Sequence, residues 1–278
     1  MTALRGIQDV VIATRDGVEL AATHYSFGEE PRRVVVMAGA LGVSRAYYGG
    51  FAGFLQDRGI AVISFDYRGV GESLDRPVRA STVTLEEWGY LDLEAVLGWL
   101  ARVYPDVPHC VVGHGVGGQI VGLTQRVLEL RCIVAVSTPS GYWGHWPGAA
   151  RWGRFALCHA VVPMLAHTLG FLPGGVVGLG EHLPRGVALD WARWGRDADF
   201  LRSPRVGPKN QFYAEITAPV MAWCLEDDRF APRAAVGAFI DWFPNARVQL
   251  ATAPPLGSAG WFGSDACWQA TADFLLAD

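Results

Sequence analysis

The sequence has no excess of positive charge and no paired cysteines. Its 278 residues carry a formal net charge of −4, so it lacks the basic surface that holds a nucleic acid. The five cysteines are odd in number and widely spaced (Cys110, Cys132, Cys158, Cys224 and Cys267). We therefore expect free thiols in a reducing compartment rather than a disulfide framework. No pair of Cys or His stands at C-x-x-C or H-x-x-x-H spacing, so we expect no metal.

The sequence also lacks recognisable targeting and membrane segments. Residues Met1–Asp9 show no basic start followed by an apolar run, so we expect no secretion signal. The most apolar stretch, residues 155–180, is interrupted by prolines and glycines that would break a bilayer-spanning helix. We therefore expect a cytoplasmic protein. The apolar stretch is interpreted as a lid or an interface, which would suit a homo-oligomer.

Short apolar runs alternate with helical patterns along most of the chain. Residues 33–38, 60–65 and 220–225 are continuous apolar runs, as expected for strands buried on both faces. Apolar residues at helical spacing predict a helix over 85–103, and a further helix is predicted over 117–129. Strands that alternate with helices predict an α/β fold with a mostly parallel central sheet flanked by helices.

The middle of the chain does not follow this alternation. Residues 138–216 are rich in Trp, Gly, Pro and Arg and contain no clear strand-like run. Strand and helix patterns return at 220–225 and continue to the end. We therefore predict one core built from residues 1–137 and 217–278, with a Trp-rich lid inserted at 138–216.

The stretch His109–Gly118 predicts a buried strand, a Gly-rich turn and the start of a helix. This is the setting of a nucleophile elbow, in which a G-x-S-x-G motif presents a serine at the edge of a sheet. The position of that serine is occupied by Gly115. Glycine adopts the positive φ of an elbow without the penalty that a Cβ incurs. The turn is therefore expected to form without its nucleophile.

The same glycines satisfy a competing motif. Gly113, Gly115 and Gly118 match the G-x-G-x-x-G fingerprint of dinucleotide-binding folds. That fingerprint also requires an acidic residue about twenty positions further on, at the end of the next strand. The corresponding stretch, Val134–Pro139, contains no carboxylate. We therefore expect no dinucleotide and no other cofactor.

Four features in this order resemble the α/β-hydrolase superfamily over nearly the whole chain. The first is the elbow itself. The second is Asp66–Ser73, which is similar to the D-x-R-G-x-G-x-S turn after the fourth strand. The third is Glu226–Pro232, which is similar to the D-x-x-x-P acid loop, and the fourth is the insertion after Ser137. Within the superfamily the chain is most similar to bacterial predicted hydrolases whose lids carry phrases like Ser140–Pro147 and Gly178–Pro184.

The resemblance implies a role for several positions. Asp228 matches the acid of the Ser-His-Asp triad, although a loop-capping aspartate is an equal alternative. The backbone N–H groups of Ala40 and Val116 match the oxyanion hole, or they cap the turn and the helix as the fold requires. Ser258 stands where the family places its catalytic histidine, and no histidine follows His182. Nucleophile and base are therefore both missing.

Other side chains could replace the missing groups. His145, between Trp143 and Trp146, is a candidate acid or base if the lid covers the pocket. Its alternative role is that of a histidine packed among aromatic rings, and packing is also the role expected for His114. Tyr142, Trp143 and Trp146 form either the core of the lid or a stacking wall of a ligand-binding pocket.

The missing triad makes ordinary ester or amide hydrolysis an unlikely activity, because losing such a triad costs roughly 10⁶ in rate. The leading hypothesis is a non-hydrolytic enzyme that catalyses a cyclisation, isomerisation or lyase step on a hydrophobic small molecule. Its oxyanion hole would stabilise an enolate, and Asp228 or His145 would transfer the proton. One alternative is a catalytically silent pseudo-hydrolase that binds a small molecule or acts as a scaffold. A second is a residual or engineered-inactive serine hydrolase.

Overall fold

The computed structural model describes residues 6–178, 180–255 and 260–277. Its strands are Gly6–Ala13 (β1), Glu19–Ser26 (β2), Arg33–Ala38 (β3), Ile60–Phe65 (β4), His109–His114 (β5), Cys132–Val136 (β6), Phe171–Leu172 (β7), Leu183–Pro184 (β8), Val220–Leu225 (β9) and Val248–Ala253 (β10). In the described part of the chain, eight of them form one sheet in the order β1-β2-β4-β3-β5-β6-β9-β10. β2 is antiparallel to β1 and to β4, and all other neighbours in this sheet are parallel. The predicted α/β architecture is confirmed.

The α-helices of the described residues are Gly49–Gln56 (α1), Leu85–Glu87 (α2), Glu94–Val103 (α3), Val116–Gln119 (α4), Ala150–Ala156 (α5), Val162–Leu169 (α6), Arg185–Trp194 (α7), Arg233–Ile240 (α8) and Asp265–Leu276 (α9). A π-helical segment, Trp88–Leu93, joins α2 to α3. A second one, Leu157–Val161, joins α5 to α6. The helix predicted over residues 85–103 is therefore confirmed, with a π-helical turn inside it.

The central strands have apolar side chains on both faces because the sheet lies between two hydrophobic cores. Successive side chains of a strand point to opposite faces. In β3, Val34 and Val36 pack into the larger core, whereas Val35 and Met37 pack into the other. The smaller of these cores is completed by α1 and α9, and α3 and α8 contribute to the larger one. This arrangement explains why the strand runs are continuously apolar.

The helix predicted over 117–129 is wrong. α4 ends at Gln119, and two separate 3₁₀ turns follow at Val121–Leu123 and Gln125–Glu129. Glycine is a poor helix former, and a Cβ on Gly122 would stand 2.4 Å from Cδ1 of Tyr213. Position 122 must therefore be glycine to pack against Tyr213, and this glycine disfavours a continuous helix through the segment.

The insertion (residues 138–216) contains α5, α6 and α7, together with the small antiparallel pair of β7 and β8. The absence of strands predicted for it was therefore wrong for these two short strands. The insertion is tied to the core by the Trp146 indole, whose Nε1 donates to the Arg229 carbonyl at 2.9 Å. It is also tied by the Glu181 amide, which donates to the Gly42 carbonyl at 2.8 Å. No helix in the described ranges combines the length and apolar character needed to cross a bilayer.

The Asp66–Ser73 motif holds the loop after β4 through buried ion pairs. Asp66 accepts from the Arg45 guanidinium at 2.6 Å and from the Arg45 amide at 2.7 Å. Arg68, which is 3 % exposed, pairs with buried Asp92 at 2.6 Å and with Asp16 at 2.8 Å. Burying a charge is costly unless it is paired. Both buried arginines, Arg68 in this loop and Arg45 before α1, follow that rule, and their role is structural.

Candidate ligand site at the elbow

The elbow lies at the point where the order of the parallel strands reverses. β3 and β5 are neighbours, yet the chain leaves β3 towards β4 on one side and β5 towards β6 on the other. In open α/β sheets, ligands bind at such a point, outside the carboxyl ends of the strands. Ala40 follows β3 and Gly115 follows β5, so these two residues flank the expected crevice.

Gly115 has the backbone conformation of a nucleophile elbow. Its φ is +52° and its ψ is −113°, a region that residues with a Cβ enter only under strain. The amide of Gly115 donates to the Val136 carbonyl at 3.0 Å, and its own carbonyl accepts from the amides of Gly118 and Gln119 at 3.2 Å each. These bonds fix the turn between β5 and α4 without any contribution from a side chain.

Space around the elbow glycines differs sharply. A Cβ on Gly113 would stand 2.4 Å from the Gly118 amide nitrogen, and one on Gly117 would stand 2.1 Å from the Ala38 carbonyl oxygen. A Cβ on Gly115 would have its nearest contact at 3.3 Å, with the Cβ of Ala40. Gly113 and Gly117 are therefore required by packing, whereas position 115 has room for a small side chain.

Only one of the two predicted oxyanion-hole amides is open. Val116 is the first residue of α4, where helix geometry leaves the N–H without an intrahelical acceptor, and none of its bonds to the described residues uses that N–H. The Ala40 amide instead donates to the Tyr48 hydroxyl at 2.8 Å. A buried tyrosine therefore satisfies this amide, and the assignment of Ala40 to an oxyanion hole stays a prediction.

Tyr48 links that amide to the histidine beside the elbow. Its hydroxyl oxygen lies 3.1 Å from Nδ1 of His114. Because the hydroxyl oxygen accepts from Ala40, its single proton is free to be donated to that nitrogen. Burial lowers the pKa of His114 to about 4, so the imidazole is neutral near pH 7. Its ring also packs on Phe262, with ring centroids 4.8 Å apart, as expected for a packing histidine.

Asp228 is buried and caps its own loop. One carboxylate oxygen, Oδ1, accepts from the amides of Phe230 at 2.8 Å and Ala231 at 3.1 Å. The other, Oδ2, is buried and has no hydrogen-bond partner within the part of the chain that the structure describes. Ser258, where the resemblance to the family would place the base, lies outside the described residues. Asp228 thus caps its loop through Oδ1, whereas Oδ2 takes no part in the capping.

A cavity of about 160 Å³ opens over Gly115. We call it the elbow cavity. Its wall carries the apolar side chains Leu41, Val43, Pro139, Trp191 and Phe230. The residues of the oxyanion-hole prediction, Ala40 and Val116, also line it, as does His114. Small-molecule sites are concave, mainly apolar and carry a few placed polar groups, and this cavity has that character.

Three polar groups that line the elbow cavity are unsatisfied. The Oγ of Ser137, the Oε1 of Gln119 and the Nε of Arg154 are buried and form no hydrogen bond to the described residues. Ser137 has, in addition, a positive φ of 47°, which is unusual for a residue with a side chain. A buried polar group without a partner costs about 1–3 kcal/mol. Three such atoms therefore belong to residues that line one cavity.

Arg154 is the charged residue among those described that line the cavity. Its Cζ lies over the rings of Trp146 and Trp191, 4.4 Å from each centroid. Burial lowers its pKa to about 10, and the neighbouring Cys158 thiol opposes that shift. No carboxylate of the described residues forms an ion pair with it. The guanidinium stays protonated at neutral pH and is unpaired.

The other predicted site residues are not all brought together. His145 lines a separate cavity of about 380 Å³ with Asp199, Arg202 and Asp241. Its Nε2 is buried without a partner among the described residues. The ring of Tyr142 packs edge-on against His145, away from the elbow cavity lining. The short 3₁₀ turn at Trp143–His145 thus directs His145 to the second cavity.

The aromatic residues of the predicted stacking wall do not all lie at the elbow cavity either. Trp143 stacks on Trp152, with centroids 5.7 Å apart, and packs on Phe155. Trp146 alone of the predicted set reaches the site, through its contact with Arg154. The sequence reasoning did not identify Arg154 and Trp191. The Trp excess was the signal available for Trp191, and nothing local distinguishes Arg154 from the other arginines.

No group of three His, Cys, Asp or Glu side chains capable of holding a metal ion occurs within residues 6–178, 180–255 and 260–277. All five cysteines are free and buried. The elbow cavity itself is lined by one histidine and by no carboxylate. Among the described residues, the polar side chains that line this site are thus those of His114, Gln119, Ser137 and Arg154.

Comparisons with known proteins agree with this architecture. The model of the serine aminopeptidase family S33 matches residues 29–165. A search of curated protein sequences found no match. Among solved structures, an esterase from Pyrococcus furiosus shares 20 % identity and a TM-score of 0.65, covering 98 % of this chain and 90 % of its own.

Two further solved structures are similar at lower identity. An esterase from Thermogutta terrifontis shares 16 % identity and a TM-score of 0.66, over 96 % of this chain and 98 % of its own. The esterase domain of a Rhodothermus marinus protein shares 16 % identity and a TM-score of 0.64, over 98 % of each chain. At these identities the likeness concerns the fold. Together with the sheet order, it shows that the chain has the α/β-hydrolase fold.

Proposed function

We propose that the protein binds an apolar small molecule in the elbow cavity and does not hydrolyse it through an acyl-enzyme. The observation that carries this proposal is Gly115, which has the φ of an elbow nucleophile at the base of the cavity and no side chain. An acyl-enzyme requires an attacking oxygen or sulfur at this point. The cavity has kept its place in the fold and offers a ligand no such atom.

The remaining hydrolytic groups support the same proposal. The Ala40 amide is bonded to Tyr48, and Asp228 uses one oxygen to cap its own loop. These groups are satisfied inside the protein, whereas Ser137, Gln119 and Arg154 have unsatisfied atoms at the cavity. The distribution of satisfied and unsatisfied groups favours binding over acyl transfer.

The proposal is tested by native mass spectrometry of freshly purified protein and by an ester assay. We expect an adduct with a small molecule that survives gentle ionisation and is lost after unfolding. We expect no hydrolysis of p-nitrophenyl butyrate above the buffer rate. Wild-type turnover of the ester that is blocked by a serine-directed phosphonate would contradict the proposal.

Two variants make the ester assay sharper. Gly115→Ser restores the nucleophile, and Gly115→Ser with Ser258→His restores the base as well. We expect the single variant to remain inactive, because serine without a base is a weak nucleophile. Strong activity from Gly115→Ser alone would reveal a base that the cavity already contains, and it would make a residual hydrolase the better description.

A second candidate function is a non-hydrolytic reaction on the bound molecule, such as an isomerisation, cyclisation or lyase step. It is favoured by the open Val116 amide and the Arg154 guanidinium, which line the same cavity. Both groups would stabilise negative charge that develops on an enolate. This candidate keeps the prediction that Asp228 or His145 transfers the proton, and for His145 it requires a ligand that reaches the second cavity.

That second candidate makes a distinct prediction. Turnover should resist serine-directed inhibitors and should fail in Asp228→Asn or His145→Ala. His145 lies in the other cavity. The His145→Ala variant therefore tests whether that cavity, as well as the elbow cavity, takes part in the reaction. Full activity in both variants would exclude this mechanism, and recovery of an unchanged ligand after prolonged incubation would favour binding alone.

A further inference from the structure

We infer that Arg154 receives the carboxylate of the bound molecule, so that the elbow cavity takes an apolar monocarboxylate about as large as one aromatic ring. This inference rests on the proposed binding function and adds the chemical class of the ligand. Three observations support it. The Arg154 guanidinium has no partner among the described residues, two tryptophan rings contact it, and the cavity has a limited charge and size.

The isolation of Arg154 is unusual within this protein. Buried Arg45 is paired with Asp66 at 2.6 Å, and buried Arg68 is paired with Asp92 at 2.6 Å. Arg154 also has a buried Nε, yet it forms neither an ion pair nor a hydrogen bond with any described residue. A buried charge is tolerated when it is paired. Among the described residues, no carboxylate gives Arg154 the partner that Arg45 and Arg68 have, and a ligand carboxylate would supply one.

The two tryptophans position the guanidinium without using its N–H groups. Trp146 and Trp191 contact it through their rings, each centroid 4.4 Å from Cζ. Stacking on aromatic faces leaves the in-plane donors of arginine available, and those donors match the two oxygens of a carboxylate. Trp146 is held in turn by its hydrogen bond to the Arg229 carbonyl at 2.9 Å. The guanidinium is thus placed in advance of ligand binding, which lowers the entropy lost on binding.

The charges that face the cavity select a single negative charge. Among the described lining residues Arg154 is charged and His114, with a pKa of about 4, is neutral at pH 7. A dianion such as a phosphate monoester would leave one charge without a partner in a mainly apolar site, and that is costly. A monocarboxylate neutralises the guanidinium and leaves no excess negative charge in the cavity.

The size of the cavity limits the rest of the ligand. Its volume is about 160 Å³, close to the roughly 150 Å³ of an apolar cavity that is known to hold benzene. Leu41, Pro139 and Phe230 supply the apolar wall for such a body. Phenylacetate combines a ring of this size with a carboxylate, and phenylacetamide has the same shape without the charge.

These two compounds provide the test, by isothermal titration of the full-length wild-type protein and its variants. We expect wild type to bind phenylacetate at least tenfold more tightly than phenylacetamide. Arg154→Met should abolish this preference, bringing the two dissociation constants to within threefold of each other. The matched control is Arg151→Met, because Arg151 lies on the same helix and over the ring of Trp152 at 5.1 Å but does not line the elbow cavity. It should behave as wild type.

Each alternative result is decisive. Equal wild-type affinities for the acid and the amide overturn the inference and leave the proposed binding function standing. Failure of both compounds to bind, with no co-purified adduct in the mass spectrum, overturns the inference and the proposed function together. Tighter binding of phenyl phosphate than of phenylacetate overturns the assignment to monocarboxylates. Should Arg154→Met fail to fold, Arg154→Lys keeps the charge without the two-pronged donor geometry and should weaken phenylacetate at least threefold.

Discussion

The hydroxyl of Tyr48 accepts a hydrogen bond from the Ala40 amide at 2.8 Å, in the position where a hydrolase would keep that amide open for an oxyanion. The tyrosine is 1 % exposed and its pKa is raised by burial, so the hydroxyl stays protonated. A preorganised oxyanion-hole donor is worth roughly 10²–10³ in rate. Under the proposed function, the glycine at position 115 and this occupied amide each remove a group on which acyl transfer depends.

Tyr48→Phe should release the Ala40 amide. We expect its hydrogen exchange to accelerate at least tenfold, because the amide loses its only acceptor within the described residues and faces the cavity. Exchange measured by NMR or by mass spectrometry of the peptide that contains Ala40 provides the test. Tyr47→Phe, at a neighbouring and 44 % exposed tyrosine, is the control. Equal exchange in both variants would show that the hydroxyl does not protect the amide.

Gly115 and Gly117 should respond differently to alanine. At Gly115 the added Cβ meets Ala40 at 3.3 Å, and the positive φ costs about 1–2 kcal/mol. At Gly117 the Cβ would lie 2.1 Å from the Ala38 carbonyl oxygen, and overpacking costs about 3 kcal/mol or more. Urea denaturation gives both free energies of unfolding. Similar losses for the two variants would contradict the packing described for the elbow.

Arg154→Met should stabilise the ligand-free protein. Burial lowers the pKa of Arg154 to about 10, which means that the fold bears a cost for holding the charge at neutral pH. The side chain is only half-buried as a whole, so solvent screens part of this cost and we expect a gain of about 1 kcal/mol. Thermal or urea unfolding at pH 7 measures it, with Arg151→Met expected to stay near wild type. A net loss of stability in Arg154→Met would show that the charge is compensated.

The same residue should give a pH signature. Burial lowers the folded pKa of Arg154 to about 10, below its value in the unfolded chain. Above about pH 10 the unfolded chain therefore binds more protons than the folded protein does. The contribution of Arg154 to the free energy of unfolding rises with pH in that range. The free energy of unfolding of wild type minus that of Arg154→Met should therefore increase as the pH rises above about 10. A difference that stays constant would contradict the lowered pKa of Arg154.

His114 should make the protein sensitive to acid. Its pKa is lowered to about 4 by burial, whereas a histidine in the unfolded chain titrates near 6.5. As the pH falls below 6.5 the unfolded state takes up a proton that the folded state refuses, so stability is lost down to pH 4. Between pH 7 and pH 5, wild type should lose about 2 kcal/mol relative to His114→Asn in urea denaturation. Parallel losses in the two proteins would contradict this assignment.

Much of the fold followed from the sequence alone. The apolar runs 33–38, 60–65 and 220–225 are strands with the predicted bounds, because a strand buried on both faces leaves a continuous local pattern. The elbow at Gly115 was predictable for a similar reason, since a positive φ between a strand and a helix depends on a few consecutive residues. The loss of the nucleophile was visible in one letter.

The partners of the polar groups required the tertiary structure. No local pattern announces that Tyr48 satisfies Ala40, that His145 enters a different cavity, or that Arg154 meets Trp146 and Trp191 over the elbow. Side-chain pairing depends on which elements the sheet order and the insertion bring together. The sequence determined that the turn between β5 and α4 carries glycine at position 115. The packing of the insertion decided that an unpaired arginine faces the cavity above it, because only folding brings separate segments within bonding distance.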